Sequence, residues 1–347
     1  MGLFGKMLAD KCIARNEVIG FLFAWAVLTG INLFWGIDVS YRQWFEANSS
    51  LDFLVRVSEL NFFKDPFYFL IQAIFSGLIN FELFFAGLIF LCLAFKFSAL
   101  LQVNRSPTIL DVLPYFLVLG FLHEGIQMRI AIALSIAIWS IILYAKNQRF
   151  LALFILALAS TFHISASTFF AVFFLLFAFE RWGRISIFIW IAIAVVLAYT
   201  PFIPTLLIEV GRLTNARFLL YSEGVVFENQ NSTGLFQYFI LFVIFLTGFI
   251  WRYYKPISSV WSNLYRMALA SGFLAIAILQ IFRFNVVVSS RLADLLLLPV
   301  LLVLGATLTQ LKNEREYFPL FVMSLALIFY CAARAFISFN PVLFRTF

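Results

Sequence analysis

Arg129 and Arg291 each stand where a long apolar run begins. Arg129 lies at the start of the run Ile130–Tyr144. Arg291 follows Ser289-Ser290, which reads as a helix N-cap, and opens the run 292–311. A helix N-terminus presents unpaired N–H groups and the positive end of the helix dipole, so both arginines are placed to meet an anion. The guanidinium grips phosphate or carboxylate through parallel N–H bonds in a rigid fork, which lysine lacks. The competing reading of Arg291 is an i,i+3 pair with Asp294 on one helix face. That pair would also hold the guanidinium in position.

The only histidines are His123 and His163. His123 belongs to the polar patch His123-Glu124-Gly125-Ile126-Gln127-Met128-Arg129, and His163 closes the run Leu151–Phe162. Each reads equally well as an interfacial residue with its bonds satisfied and as part of a site. Two histidines without a Cys or acidic ligand motif do not make a metal centre, so no metal is expected. Cys12, Cys92 and Cys331 have neither metal-type spacing nor a disulfide pattern. A hydroxyl that is to act as a nucleophile needs a base. The acids available for that task are Asp38, Glu124, Glu209 and Glu223, with Glu124 and Asp38 foremost and the choice between them open. The segment 205–234 gathers Arg212, Arg217, Tyr221 and the amides Asn229, Gln230 and Asn231. Amides beside aromatics suit carbohydrate, although taken alone the segment reads as a solvated loop.

The elements that must carry these groups follow from composition. The chain has 347 residues, 64% hydrophobic and 12% charged, against roughly 45–50% and about 25% for a soluble domain. The mean hydropathy is +1.01. A soluble enzyme, a disordered protein and a disulfide scaffold are excluded, because no soluble core of this size hides so much apolar surface. Continuous apolar runs exclude a β-barrel, whose strands alternate. Runs long enough to cross a bilayer, about 20 residues each, fall near 17–36, 81–100, 108–124, 128–146, 149–163, 164–180, 185–204, 235–252, 260–282, 289–311 and 317–338. The stretch 66–80 is too short to cross.

Charge decides its placement. If 66–80 does not cross, 14 of the 24 basic residues fall on the N-terminal side, which is then cytoplasmic. If it crosses, every later basic pair is turned outward. The stretch is therefore expected to lie on or in the outer leaflet, with 37–65 and 205–234 as the longer outer segments of a single membrane domain, 1–347. The net charge of +7 reflects this topology and not nucleic-acid binding. The outer side then holds Arg42, Arg56, Lys64, Arg129, Arg212, Arg217, Arg283, Arg291, Arg334 and Arg345, nine arginines among ten basic residues. Topology asks for positive charge inside and gives no reason for arginine outside. Snorkelling explains any one of them, whereas the set suits an anionic head group on a lipid tail.

Short motifs in order resemble one family. Gln127-Met128-Arg129-Ile130-Ala131-Ile132-Ala133, a basic turn near Lys146, and then Ala159-Ser160-Thr161-Phe162-His163-Ile164-Ser165-Ala166 are similar to the EpsG family of bacterial exopolysaccharide and O-antigen polymerases. That family has an "IRQGLA"-like helix start followed some thirty residues on by "A-LFH-SA". Asp38 with Tyr41 resembles its "D–Y" segment, Lys64-Asp65-Pro66-Phe67-Tyr68 its "EPLF" start of a short helix, and Ser290-Arg291-Leu292 its late "R-L/Y" helix start. The resemblance runs from about 37 to 340. Two departures stand out: Ile130-Ala131 replaces the usual Gln-Gly, and Asp65 replaces the usual Glu before Pro.

The resemblance implies a Wzy-type polymerase in the bacterial inner membrane, with its active site facing the periplasm. It implies transfer of a growing glycan from undecaprenyl pyrophosphate to the non-reducing sugar of another lipid-linked repeat unit. Partners would be that lipid-linked oligosaccharide, membrane lipids and a chain-length regulator protein, with no cofactor. The expected fold is all-α and GT-C-like, with about eleven transmembrane helices and the short outer-leaflet helix near 66–80. Motif position marks Asp38, Tyr41, Arg129, His163 and Arg291. In this scheme Arg129 and Arg291 clamp the pyrophosphate with Arg283 or Arg217 helping. His163 bonds phosphate or orients the acceptor, Glu124 or Asp38 is the base, and His123, Tyr41, Gln127, Arg212 and Tyr221 line the substrate. The rival readings are a flippase for lipid-linked oligosaccharide and an O-antigen ligase-type transferase. A flippase would call for repeat symmetry and polar groups at both faces, which the sequence does not display.

Overall fold

The computed structural model describes residues 16–25, 27, 39–58, 65–104, 107–120, 127–200, 202–203, 205–206, 209, 258–282, 286–319, 321–325 and 327–328. Every regular element among them is helical. The chain divides into two compact units. The first comprises Met1–Ser167, Ser258–Trp261 and Leu304–Tyr317, and the second Thr168–Ile257, Ser262–Val303 and Phe318–Phe347.

The first unit is built on α4 (Phe81–Leu101), α6 (Met128–Ala145) and α7 (Arg149–Phe162). Helix α6 is the central post, buried nearly all round from Met128 to Ala145. A helix apolar on every face is stable only when neighbours surround it. Helix α7 lays the stripe Ala152, Leu156 and Ala159, all fully buried, against it. Small residues at this spacing let the two backbones approach closely. Ser140 Oγ crosses the gap to donate to Ala152 O at 2.6 Å. Helix α4 starts at Asn80, whose side chain accepts from Leu83 N at 2.9 Å. It turns Phe81, Phe84, Phe85, Ile89, Cys92 and Lys96 inward while Leu83, Phe90, Leu91 and Phe95 stay exposed. Apolar exposure along one side of a long helix is what a lipid-facing surface requires. Trp139 Nε1 donates to Phe95 O at 3.2 Å, and Lys146 Nζ to Gln102 Oε1 at 3.0 Å. These contacts set α4 and α6 side by side in the same direction.

Ahead of this bundle come α1 (Val39–Ser49), α2 (Phe53–Ser58) and α3 (Pro66–Phe75). Helix α3 has ten residues, about 15 Å of rise against a hydrocarbon core of about 30 Å. It is the short helix expected near 66–80, ending earlier. Arg56 caps its C-terminus, with Nη1 donating at 2.8 Å to both Ala73 O and Ser76 Oγ. Gly77 leaves room for this: a Cβ there would lie 2.6 Å from Arg56 Nη2.

Between α4 and α6 lies α5 (Ile109–Tyr115), which continues as a π turn over Phe116–Gly120. Pro114 sits inside it. Proline removes the N–H that would bond the Leu110 carbonyl one turn earlier, so its cost falls on the first turn of the helix. Asp111 anchors the start, accepting from Thr108 N at 2.6 Å, Thr108 Oγ1 at 3.1 Å and Asn104 Nδ2 at 3.2 Å. Thr108 also shares a 2.9 Å hydroxyl bond with Thr309. There α12 (Leu298–Asn313) passes so close that a Cβ on Gly305 would stand 2.2 Å from Asp111 O.

The second unit contains α8 (Thr168–Trp182), α9 (Arg184–Tyr199), α10 (Ser259–Ile281) and α11 (Val286–Leu296). Phe174 and Trp190 meet edge to face at 5.5 Å across α8 and α9. Ser271 Oγ donates to Leu296 O at 2.7 Å, joining α10 to α11.

Helices long and apolar enough to cross a membrane are Phe81–Leu101, Met128–Ala145, Ile164–Trp182 and Ser259–Ile281 among the described residues. The chain is thus an all-helical membrane protein. The run 149–163 appears as the 14-residue α7. The run 235–252 lies outside the described residues, as do half of 17–36 and more than half of 317–338.

One expectation needs correction. Ser289 and Ser290 are not an N-cap, and Arg291 does not open a helix. Helix α11 already begins at Val286, so Arg291 lies in its middle. The apolar residues Val286–Val288 carry the helix back past the serines. The expected run 292–311 is interrupted at Leu297, with Pro299 in the first turn of the next helix, where its missing N–H costs nothing.

Candidate functional site

The site assembles at one end of the first unit, where α3 and α6 begin and α7 ends. Arg129 is the second residue of α6, as expected from the sequence. Its Nη1 donates to Asp65 Oδ2 at 2.6 Å, with side-chain exposures of 21% for Arg129 and 7% for Asp65. The guanidinium stands 6.0 Å from the centre of the Tyr68 ring. The fully buried Tyr68 places its hydroxyl 4.0 Å from Met128 Sδ. A guanidinium has five N–H donors in one plane, so a carboxylate fixed at Nη1 sets the direction of the rest.

Asp65 is unusual in a second respect. Its backbone is left-handed, with φ 51° and ψ 56°, directly before Pro66. That region costs an L residue about 1–2 kcal/mol, less for aspartate, and proline favours an extended predecessor. The side chain does not cap its own helix. It turns to Arg129 instead, and its Oδ1 accepts a long bond from Ile164 N at 3.4 Å. Backbone strain spent to aim a buried carboxylate at an arginine is the kind found where function fixes a geometry.

His163 ends α7 with an extended backbone, its N–H reaching Ala159 O at 3.2 Å. A short 3-10 turn, Ile164–Ser167, follows. Ser165 meets His163 Nδ1 twice, through its hydroxyl and through its backbone N–H at 3.3 Å. Asp65 thus ties the Arg129 helix start to the His163 corner. Two buried amides lie nearby in the chain. Gln127 Oε1, just before α6, and both heteroatoms of Gln72, on the Asp65–Tyr68 face of α3, have no hydrogen-bond partner among the described residues.

Other expected members divide. Arg42 on α1 is engaged by carboxylates, Glu46 at 2.8 Å and Glu82 at 2.8 Å. The bond to Glu46, and then the field of Glu82, raise its pKa above the usual arginine value. Arg56 is occupied at the end of α3. Arg42 and Arg56 are therefore both engaged by groups of the chain itself. Arg291 is exposed and belongs to the second unit. Tyr41 lies in the first turn of α1, with its side chain outside the description. Asp38, His123, Glu124, Arg212, Arg217, Tyr221 and Arg283 lie outside the described residues. Among the described residues, no three His, Cys, Asp or Glu side chains come together as metal ligands would.

Asp65, Tyr68 and Ser165 were not singled out as site residues from the sequence. The available signal was Asp-Pro at the head of a short apolar helix, and Ser165 two residues beyond His163. Comparison with known proteins gives one match: the EpsG family covers residues 18–344. No curated protein and no solved structure matches the chain.

Proposed function

The chain belongs to the EpsG family, and from that premise we propose that it is a Wzy-type polysaccharide polymerase. It transfers a growing glycan from undecaprenyl pyrophosphate to the non-reducing sugar of another lipid-linked repeat unit, on the periplasmic side of the inner membrane. The observation that carries the reading is the Arg129–Asp65 pair beside His163, at one end of a membrane bundle, within a chain the family covers almost entirely. An anion bound there meets a guanidinium already oriented by Asp65.

The chemistry suits arginine. As the acceptor hydroxyl attacks the anomeric carbon, the bond to the pyrophosphate oxygen breaks and negative charge grows on the leaving group. A positioned guanidinium in a partly dehydrated site stabilises that charge at little reorganisation cost. Glu124 or Asp38 takes the hydroxyl proton. Arg291, Arg283 and Arg217 remain candidate phosphate ligands, and His123, Tyr41, Gln127, Arg212 and Tyr221 candidate sugar contacts. With arginine meeting the charge, the transfer needs no metal.

The test is polymerisation in nanodiscs, with purified protein, its undecaprenyl-pyrophosphate-linked repeat unit and excess EDTA. A ladder of chain lengths is expected. A ladder only after Mg²⁺ is added contradicts the metal-free scheme. No ladder in either condition, with lipid-linked units crossing proteoliposome membranes, replaces the polymerase by a flippase.

A further inference from the structure

We infer that Ser165 fixes His163 as the Nε2–H tautomer, so that the imidazole serves as a hydrogen-bond donor to a phosphate-type oxyanion and not as the base that deprotonates the acceptor. The identity of the oxyanion rests on the polymerase reading above; the tautomer rests on the geometry of residues 163–166.

The backbone N–H of Ser165 points at His163 Nδ1 across 3.3 Å. An amide N–H can only donate, so Nδ1 must offer its lone pair. The Ser165 hydroxyl meets the same nitrogen, and with Nδ1 an acceptor the hydroxyl shares its single lone pair as a second donor. A neutral imidazole carries one ring proton, which is then at Nε2. A general base would need the reverse, a lone pair at Nε2 and a proton at Nδ1. That proton would face the Ser165 N–H head on.

The corner that sets this geometry is held at successive N–H groups. The Ile164 N–H goes to Asp65 Oδ1 at 3.4 Å, the Ser165 N–H to the His163 ring, and the Ala166 N–H to His163 O at 3.0 Å. The Ile164 N–H bond to Asp65 holds the residue before Ser165 on the Arg129 side of this corner. Ser165 is thus a positioning residue acting through His163.

The proton balance of the transfer is unaffected by His163. The acceptor oxygen bonds the anomeric carbon, the carbon–oxygen bond to phosphate breaks, and the pyrophosphate keeps the electron pair. The acceptor proton passes to a carboxylate. Nε2–H bonds an oxygen that gains charge and keeps its own proton throughout.

Amide mimicry separates donor from base. The amide nitrogen of glutamine reaches the place of Nε2, and that of asparagine the place of Nδ1. In the nanodisc assay H163Q is expected to stay within about tenfold of wild type. H163A and H163N are expected to fall about a hundredfold or more, the scale of losing one oxyanion donor. S165A, which keeps the backbone donor, is expected to lose about tenfold in kcat at unchanged KM, with S165T recovering it.

Histidine ¹⁵N NMR on the wild-type protein in nanodiscs reads the tautomer whether or not the protein turns over. The chain has two histidines, and H163Q removes one set of signals, which assigns them. The expected spectrum has a protonated Nε2 and a bare Nδ1 at neutral pH for His163. An Nδ1–H tautomer, or an H163Q variant as inactive as H163A, overturns the inference. No ladder from wild type overturns the polymerase reading instead, and the spectrum still decides the tautomer.

Discussion

The α4–α6–α7 bundle buries an aspartate at each end and treats the two in opposite ways. Asp111, 2% exposed, is surrounded by neutral donors, Thr108 and Asn104 beside it in the chain and Thr309 on α12. Its backbone is ordinary helix. Asp65, 7% exposed, reaches 64 residues along the chain to a charged partner, from a left-handed backbone, and leaves its own helix uncapped. The Asp111 end is closed: neutral partners, and a glycine that lets α12 touch it. The Asp65 end spends strain and charge to hold a guanidinium and an imidazole corner in place. Satisfaction by neutral donors from an ordinary helical backbone marks a group that makes the fold. Costly, long-range aiming marks a group that serves a site.

The comparison can be broken at the charged pair first. Removing Arg129 takes away the proposed anion ligand and the charged partner of Asp65. R129A is expected to lose transfer by about a thousandfold and to lose about 3–5 kcal/mol of stability from the uncompensated carboxylate. Both are readable, by ladder formation and by thermal unfolding in detergent. D65N/R129Q removes both charges and should regain most of the stability while staying inactive, a coupling that a double-mutant cycle measures. D65N alone should be milder. Arg129 keeps its charge but loses its aim, and transfer falls by about ten- to a hundredfold.

At the opposite end the expected effects fall on stability alone. G305A puts a methyl group 2.2 Å from Asp111 O, and should cost about 1–3 kcal/mol through overpacking. D111N disturbs a buried acceptor and should cost about 1–3 kcal/mol. Neither should change the rate per folded molecule. The smallest effect is expected at Arg42, whose ion pairs are solvent-exposed: R42Q should change neither the melting temperature nor the ladder measurably. A loss of activity in D111N comparable to that in D65N would erase the distinction between the ends.

Much of this was legible from the residues. The all-helical class followed from composition. The helix start at Arg129 was visible because a charge gives way abruptly to the apolar-rich run from Ile130 to Ala145. His163 was visible as the polar stop of an apolar run. The partnership of Arg129 with Asp65 was not, because no local pattern states which distant carboxylate meets a given arginine. Asp65 read as one letter of a motif before proline. The error at Arg291 had a physical source. Ser-Ser-Arg before an apolar run imitates a cap, but three valines upstream already propagate the helix. The break at Leu297 did carry a signal, Pro299.

The most direct measurement compares ladder formation by D65N/R129Q and by D111N in nanodiscs, each normalised to folded protein. The expected result is no ladder from the first and a full ladder from the second. A full ladder from D65N/R129Q would contradict the assignment of the transfer to the Arg129 end.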